Sequence, residues 1–585
     1  MAAPGAPAAV FIGALGLDTS RPADIVRHGG HGLIEQLAIC GTRTIFLVPG
    51  ESFLAALDGL HDSDSIDSII CRHEGAAAMM AQASARVTGQ PGVVFVTRGP
   101  GIANAVSGIF VAQQDETPLV VLVGLPPTHL EGLKPFQDID LSALFSGLAK
   151  STAIVRRTAD IPAAITRAFH LAASGRPGPV VVGLPEDVLK APADELPLNP
   201  FGVAETAPSP HSMTSLEALL ETAQSPLMIV GGPGWNAHVK TQVEAFAQRF
   251  DIPVATSFRC QDYFDNRHPS YIGHIGFGLD KKLAAGLRIA DIVIVAGAPL
   301  GEVTTAANTL IAAPVPRQKL VHIHPDANEI GNVHATRLGI VSNAAAFAGA
   351  LGFIEPPAHK PWTALRRDLR AAYEASLRPP ASAAPLNADG PADLARVIQH
   401  LSDTLPETAI LTNGAGNYSQ FLHRHFAFKT FGTSLGPASG SMGYGLPAAI
   451  AAKLAYPGRT VVCLAGDGCL MMTLPDLATA VQYGLNIVIL VANNGLYGTI
   501  RMHQESAYPG RVSGTKLINP DFASLARSFG ATGERVETMT GFAPAFERAC
   551  RATGPALLDL IVDPDAIAPG KTLSGLGKMG LADAD

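Results

Sequence analysis

None of the six cysteines (Cys40, Cys71, Cys260, Cys463, Cys469 and Cys550) stands in a C-x-x-C pair. That absence excludes a zinc ribbon of the usual spacing and argues against a disulfide framework. Cysteines scattered through a large chain fit a reducing cytosol, so a cytoplasmic protein is expected. Charge is also sparse, at 16% of residues, with 42 Lys+Arg against 50 Asp+Glu and a net charge of −8. A mildly acidic chain without a basic block is not expected to bind nucleic acid. No uninterrupted apolar run is long enough to span a bilayer, and no membrane partner is expected. The opening stretch MAAPGAPAAVFIGALGLDTSR has no Lys or Arg ahead of its apolar residues. It lacks the positive region of a secretory signal and reads as a loose tail. There is no short-period repeat, and the middle third has no G-x-G-x-x-G.

What is present is a long, apolar chain: 585 residues, 47% of them hydrophobic. That is room for roughly three or four domains. Two Pro/Ala-rich stretches, KAPADELPLNPFGVAETAPSPHS and the run from EPPAHKPW to RPPASAAPLNADGPAD, read as linkers. They divide the chain into blocks at 26–190, 212–355 and 390–565. Each block alternates Val/Ile-rich runs with helical periodicity. The runs are TIFLVPG, SIICRH, GVVFVTRGPG, PLVVLVG and PGPVVVGLP in the first, and PLMIVGGPG, PVATS, DIVIVAGAPL and KLVHIHPD in the second. The third has ETAILTNGAG, TVVCLAGDG, NIVILVANN and PALLDLIVD. Strands without polar alternation are buried on both faces, so the expected fold is α/β, with three doubly wound parallel-sheet domains.

The most informative stretch is AGDGCLMMTLPDLATAVQYGLNIVILVANNGLYG. One strand ends at Gly466-Asp467-Gly468, and the next ends at Asn493-Asn494. Between them Thr473 is expected as an N-cap and Pro475 in the first helical turn. Leu474, Leu477, Ala478 and Val481 form the face toward the sheet, and Gly484 is the stop. In a βαβ unit both strands point the same way, so Asp467 and Asn494 emerge at one carboxyl edge. A carboxylate and an amide oxygen are hard ligands suited to Mg²⁺ or Ca²⁺, and the chain bending at Gly495 can add the Leu496 carbonyl. Glycines and a helix N-terminus beside them suit a phosphate, and two protein oxygens are few for a cage, so a diphosphate ligand is implied.

G-D-G followed by N-N at this spacing resembles the thiamine-diphosphate signature. The three-block layout resembles the acetolactate synthase / pyruvate decarboxylase / benzaldehyde lyase superfamily, from about residue 26 to about 565, closest in appearance to acetolactate synthase large subunits. The resemblance implies an aminopyrimidine-binding first block, a Rossmann-like middle block and a diphosphate- and Mg²⁺-binding third block. Asp467, Asn494 and the Leu496 carbonyl would hold the metal. Gly466, Gly468 and Cys469 would lie along the diphosphate.

Within the resemblance, Glu74 of CRHEGAAAMMA is the cofactor-activating carboxyl, relaying a proton at the aminopyrimidine ring. Met442 of GPASGSMGYGLPAAI is the wedge that bends the cofactor, with Gly440 beside it. Gly416, Asn417 and Tyr418 match a diphosphate-binding turn. Pro49, Thr97, Pro100 and Asn104 match the aminopyrimidine pocket. In relatives the two clamps come from different chains, so a homodimer or homotetramer with active sites at the dimer interface is expected.

Substrate choice is less legible. Gln137 in KPFQDID resembles the glutamine of acetolactate synthases and of benzaldehyde lyase. An amide is no acid near neutral pH, which favours C–C bond making or breaking over plain decarboxylation. Glu51 is read as an acid/base in the pocket or as a helix-dipole partner. His503 stands where anabolic acetolactate synthases have tryptophan, and is read as a substrate contact or a solvated helix residue. AGAPLGEVTT differs from the Asp-rich segment of FAD-binding relatives, so no functional FAD is expected; ADP or a CoA ester in the middle block stays open. The expected activity is a carboligase or lyase acting on a 2-keto acid or aldehyde through an enamine. The alternatives are a 2-hydroxyacyl-CoA or benzaldehyde-type lyase and, from another class, a non-catalytic subunit. The last is disfavoured because Glu74 and Asp467 are both present.

Overall fold

The computed structural model describes residues 26–380, 383, 385 and 389–582. The N-terminal stretch read above as a tail lies outside the described residues. Three sheets, each of six parallel strands, follow one another along the chain.

The first sheet holds β1 (Thr44–Leu47), β2 (Asp67–Ile70), β3 (Gly92–Val96), β4 (Leu119–Leu125), β5 (Ser151–Ile154) and β6 (Pro179–Pro185), in the order β2-β1-β3-β4-β6-β5. The second holds β7 (Pro226–Val230), β8 (Val254–Thr256), β9 (Tyr271–His274), β10 (Ile292–Ala296), β11 (Lys319–His324) and β12 (Leu338–Val341), in the order β12-β11-β10-β7-β8-β9. The third holds β13 (Ile410–Asn413), β14 (Ser434–Leu435), β15 (Val461–Gly466), β16 (Val488–Asn493), β17 (Thr532–Val536) and β18 (Ala556–Ile561), in the order β14-β13-β15-β16-β18-β17.

Strand periodicity decides which core each side chain enters. Val94 and Val96 of β3 face one apolar layer while Val93 and Phe95 face another. Val461, Cys463 and Ala465 of β15 face the layer that Val94 and Val96 enter, while Val462 and Leu464 face a third. The first and third sheets therefore share one core. It is filled by the helices Glu74–Thr88, Pro100–Gln114 and Gly445–Ala455. Tyr444, wholly buried there, donates 2.6 Å to Gln82 and ties the two sheets' helices together.

Two local expectations are corrected. The second Pro-rich stretch contains a 15-residue helix, Thr363–Leu377, whose Leu369, Ala372 and Tyr373 are buried. Prolines stop a helix only where they stand, and this helix runs between two clusters of them. The Thr473 hydroxyl does not cap a helix; it donates 2.7 Å to the Gly443 carbonyl. Helical structure starts at Asp467 itself, breaks, and resumes as a 3₁₀ turn Leu474–Asp476 leading into Leu477–Gln482. The apolar face there is Leu474, Leu477 and Ala480 rather than Ala478. Gly484, at φ 59°, ends it as expected.

Candidate cofactor and active site

In an open parallel sheet the ligand crevice lies beyond the strand carboxyl ends, where neighbouring strands continue in opposite directions. In the third sheet that point is between β13 and β15; in the first it is between β1 and β3. The sequence-expected residues gather at these two edges.

At the third sheet, Gly466 pairs with Ala492 across β15 and β16, so the tips at Asp467 and Asn493-Asn494 stand side by side. Asp467 is 3% exposed. Its carboxylate accepts from the amides of Gly468 at 2.7 Å and Gly495 at 2.8 Å, and from Asn519 Nδ2 at 2.8 Å. Hydrogen bonds to an ionised group contribute about 1.5–3 kcal/mol each. Burial nevertheless pushes the Asp467 carboxyl above its ordinary range, the hydrogen bonds pulling the other way. No lysine, arginine or histidine among the described residues lies within ion-pair distance of Asp467. A buried acid without a cation partner is a fitting place for a metal ion.

Asn494 is half-buried, and its Oδ1 accepts from the Leu496 amide at 3.0 Å. Leu496 bridges Lys516 through the Gly495 carbonyl and the Tyr497 amide on either side of it, so that bridge does not occupy the Leu496 carbonyl. A carboxylate, an amide oxygen and a peptide carbonyl are thus available as hard donors.

The glycines here have a packing reason. A Cβ on Gly466 would lie 2.8 Å from the Tyr418 ring, and one on Gly468 would lie 2.6 Å from the Tyr497 ring. Tyr418 directs its hydroxyl to Cys469 Sγ at 3.1 Å, and the same sulfur accepts from the Gly443 amide at 3.1 Å. Asn417, 5% exposed, is held by Thr499, Gln420 and Met502. Gly416, at φ 152°, makes the bend before them. Met442 is half-buried and Gly440 is exposed at φ 70°.

Three contributors escaped the sequence reading. Asn519 bridges Asp467 and Asn493 Oδ1, the latter at 3.0 Å. Asn493 in turn donates 2.9 Å to the buried Asp559. Arg259, in left-handed backbone at φ 67° and 3% exposed, donates to the Gly414 carbonyl at 3.1 Å directly behind the β13 tip. Its other partners, Ser419 Oγ and His423 Nε2, are not carboxylates. Burial lowers its guanidinium to about 10. No spacing or period marks these residues, because each reaches the site from another element.

At the first sheet, Glu74 is the first residue of the Glu74–Thr88 helix, which His73 caps by accepting from the Gly75 amide. Glu74 Oε2 accepts from Asn104 Nδ2 at 2.9 Å. Gly101 packs on Thr97, where a Cβ would lie 2.7 Å from Cγ2, and that position is 3.5 Å from Glu74 Oε1. Thr97 Oγ1 meets Ser52 Oγ at 2.8 Å. Pro49, Pro100 and Asn104 are exposed at this edge.

Glu51 opens a 3₁₀ turn, has its side chain 72% exposed, and stands 3.6 Å from Arg98. Arg98 also lies 3.6 Å from Glu186, and its Nε has no partner although buried. Gln137 adopts φ 59°, and its carbonyl would be 2.7 Å from a Cβ on Gly99, so only glycine there lets the loop close. His503 is exposed on the Gly498–Ala507 helix.

In the middle sheet the crevice between β7 and β10 holds Trp235, which donates 2.8 Å to the Gly231 carbonyl. What remains beside it is a cavity of about 10 Å³ lined by Trp235, Gly297, Ile323, Pro325 and Phe347.

Comparison with known proteins gives three family matches in chain order. These are the thiamine pyrophosphate enzyme N-terminal TPP binding domain at residues 27–144, the central domain at 213–351 and the C-terminal TPP binding domain at 414–560. The acetolactate synthase large subunit of Parasynechococcus marenigrum is 31% identical, over 94% of this chain and 89% of that protein. The acetolactate synthase isozyme 3 large subunit of Escherichia coli is 31% identical, over 87% and 89%. Among solved structures, the Rhodococcus jostii thiamine diphosphate-dependent 4-hydroxybenzoylformate decarboxylase superposes with a TM-score of 0.79 at 26% identity. It covers 92% of this chain and 99% of that one.

Proposed function

Because this chain belongs to the thiamine-diphosphate enzyme family, similar to acetolactate synthase large subunits, we propose that it is a Mg²⁺-dependent carboligase or lyase acting on a 2-keto acid. The observation that carries this reading is the seat of Gln137. Its left-handed backbone packs on Gly99, between Thr97 and Pro100, on the edge that carries Glu74, and its neutral amide is read as the group that meets the substrate. An amide orients a carbonyl by hydrogen bonding without delivering a proton, which suits an acceptor other than water or H⁺.

Bound thiamine diphosphate supplies the carbanion chemistry that breaks and forms the C–C bond. The chain's residues fit it. Asp467, Asn494 and the Leu496 carbonyl would hold Mg²⁺, and Gly466, Gly468 and Cys469 would lie along the diphosphate. Glu74 would relay a proton at the cofactor's ring through Oε1, with Oε2 held by the Asn104 amide. Met442 would wedge beneath the cofactor, and Gly416, Asn417, Gly440 and Cys469 would frame the diphosphate side. Glu51, braced by Arg98, meets the substrate at the mouth. The exposure of Pro49, Pro100, Met471, Met472 and Ile518 supports a homodimer or homotetramer that covers them. The reading includes no flavin.

A second reading, decarboxylation with release of an aldehyde, is favoured by the Glu51 carboxyl beside Arg98, since a carboxyl can carry a proton and the Gln137 amide cannot. The Rhodococcus decarboxylase supports the same direction. One experiment separates them. The holoenzyme is incubated with pyruvate, 2-ketobutyrate, 4-hydroxybenzoylformate and a 2-hydroxyacyl-CoA, and CO₂, acetohydroxy acid and aldehyde are measured. Acetohydroxy acid from pyruvate supports the first reading. CO₂ and aldehyde from a keto acid without ligation product support the second, and no turnover of any keto acid, with or without aldehyde from the hydroxyacyl-CoA, sinks both.

A further inference from the structure

β2 is the outer strand of the first sheet and pairs with β1 alone. Its amides point inward and outward in turn. Those of Asp67 and Cys71 point inward, to the Arg43 and Leu47 carbonyls, at 2.8 Å each. Those of Ile70 and Arg72 point outward, where an edge strand ordinarily meets solvent or invites a further strand.

Here the third block lays side chains along that edge. The Tyr483 hydroxyl accepts from the Ile70 amide at 2.9 Å and donates to the Ser68 carbonyl at 3.0 Å. Asp476 Oδ1 accepts from the Arg72 amide at 2.9 Å, and the Thr479 hydroxyl donates to the same oxygen at 3.0 Å. Arg72 closes the join by donating to Gln482 Oε1 at 2.6 Å. A phenol and a carboxylate thus stand where a further strand would.

Asp476 is wholly buried. Burial pushes its carboxyl above the ordinary range, while the Arg72 amide and the Thr479 hydroxyl pull it back. Burying a carboxyl is costly, and packing alone would be served by an apolar side chain.

Both ends of this join lead to the site. On the first-block side only His73, the helix N-cap, separates Arg72 from Glu74. Glu74 opens its helix, where backbone amides lack partners within the helix. The placement of its carboxyl therefore depends on the chain that leads in. On the third-block side Asp476 stands nine positions after Asp467, and Cys469, Leu470 and Thr473 between them are buried. One short buried segment carries the metal-binding tip at one end and the anchor of the Glu74 strand at the other.

We propose that Asp476 and Tyr483 are positioning residues for Glu74, fixing the exit of β2 and with it the carboxyl. The inference rests on the role given to Glu74 above, and adds that the metal-bearing block also places the activating acid. Both residues act through the backbone of Ile70 and Arg72, not by contact with the reacting atoms.

The test uses the full chain saturated with thiamine diphosphate and Mg²⁺, saturation being checked by fluorescence titration. Exchange of the cofactor's C2 proton in D₂O reads the work of Glu74. Tyr483→Phe keeps the ring and removes the hydroxyl from the edge. Asp476→Ala removes the acceptor for the Arg72 amide, and Asp476→Asn keeps an oxygen there. Tyr483→Phe and Asp476→Ala should each slow exchange by about tenfold or more, as a small misplacement of a catalytic group does. Asp476→Asn should restore most of the rate. Tyr483→Phe added to Glu74→Gln should slow exchange no further, because both changes act on one group. Wild-type exchange in Tyr483→Phe beside a slow Glu74→Gln overturns the proposal. So does an additive loss in the double variant, or an Asp476→Asn as slow as Asp476→Ala. Wild-type exchange in Glu74→Gln itself removes the reading of Glu74, and this proposal with it.

Discussion

The backbone amide of Gly495 donates a 2.8 Å hydrogen bond to the side chain of Asp467, 28 positions earlier. This bond locks the turn after β16 onto the tip of β15, and Gly495 makes the turn at φ 67°. Asn519 completes the clasp from a third segment, bonding Asp467 and Asn493 together. The carboxylate is thus oriented before any ion arrives.

Asn519→Ala should therefore weaken Mg²⁺-supported binding of thiamine diphosphate by about 10–100-fold, the usual cost of losing a residue that orients a ligand. Fluorescence titration at fixed Mg²⁺ measures it. Asp467→Ala should abolish the Mg²⁺ dependence itself.

Glu74→Gln should slow exchange of the cofactor's C2 proton by about 10²–10⁴-fold, the range of a positioned proton-transfer group. Asn104→Ala removes the 2.9 Å bond that fixes Oε2 and should give a smaller loss. Proton NMR of the loaded protein in D₂O follows both. An unchanged exchange rate in the Gln variant removes Glu74 from its assigned role.

Arg259 carries a buried charge whose hydrogen-bond partners are all uncharged, behind the loop that starts at Gly414. Arg259→Met should cut affinity for thiamine diphosphate roughly tenfold by removing that field. Affinity for unphosphorylated thiamine should stay within about twofold. Equal weakening of both ligands would mean the arginine only holds the loop.

His274 and His322 are buried, and burial lowers both to about 4. Unfolded, they titrate near 6.5 and take up protons that the folded protein refuses. Their contribution to stability is complete above about pH 6.5 and is lost as pH falls toward 4, by an order of about 3 kcal/mol each. Tm measured from pH 7.5 to 4 should drop through this window. His322→Gln, able to keep the 3.1 Å bond to the Ala298 carbonyl, should flatten part of the drop.

The interior strands of all three sheets were readable because a strand buried on both faces must be a near-continuous apolar run. Thirteen of the strands carry such a run or a recognisable turn. The five others, β5, β9, β12, β14 and β17, all lie at sheet edges. They are short, two to five residues, and most face solvent on one side, so nothing in their composition sets them apart.

The site divides along the same physical line. Sequence alone determined what a single βαβ unit fixes: Asp467 and Asn494 at one carboxyl edge, Glu74 at a strand-to-helix turn, and glycine wherever the chain must turn sharply. Those relations need only local geometry, with 27 residues sufficient to return the chain to the same edge. Tertiary structure decided what depends on which surfaces meet. It brought Asn519 and Arg259 to the site from other segments, filled the spaces over Gly466 and Gly468 with tyrosine rings, and turned Thr473 from a cap into a partner of Gly443. It also set Asp476 and Tyr483 along the free edge of β2. A one-dimensional pattern records the period of an element, not the neighbour it will be packed against.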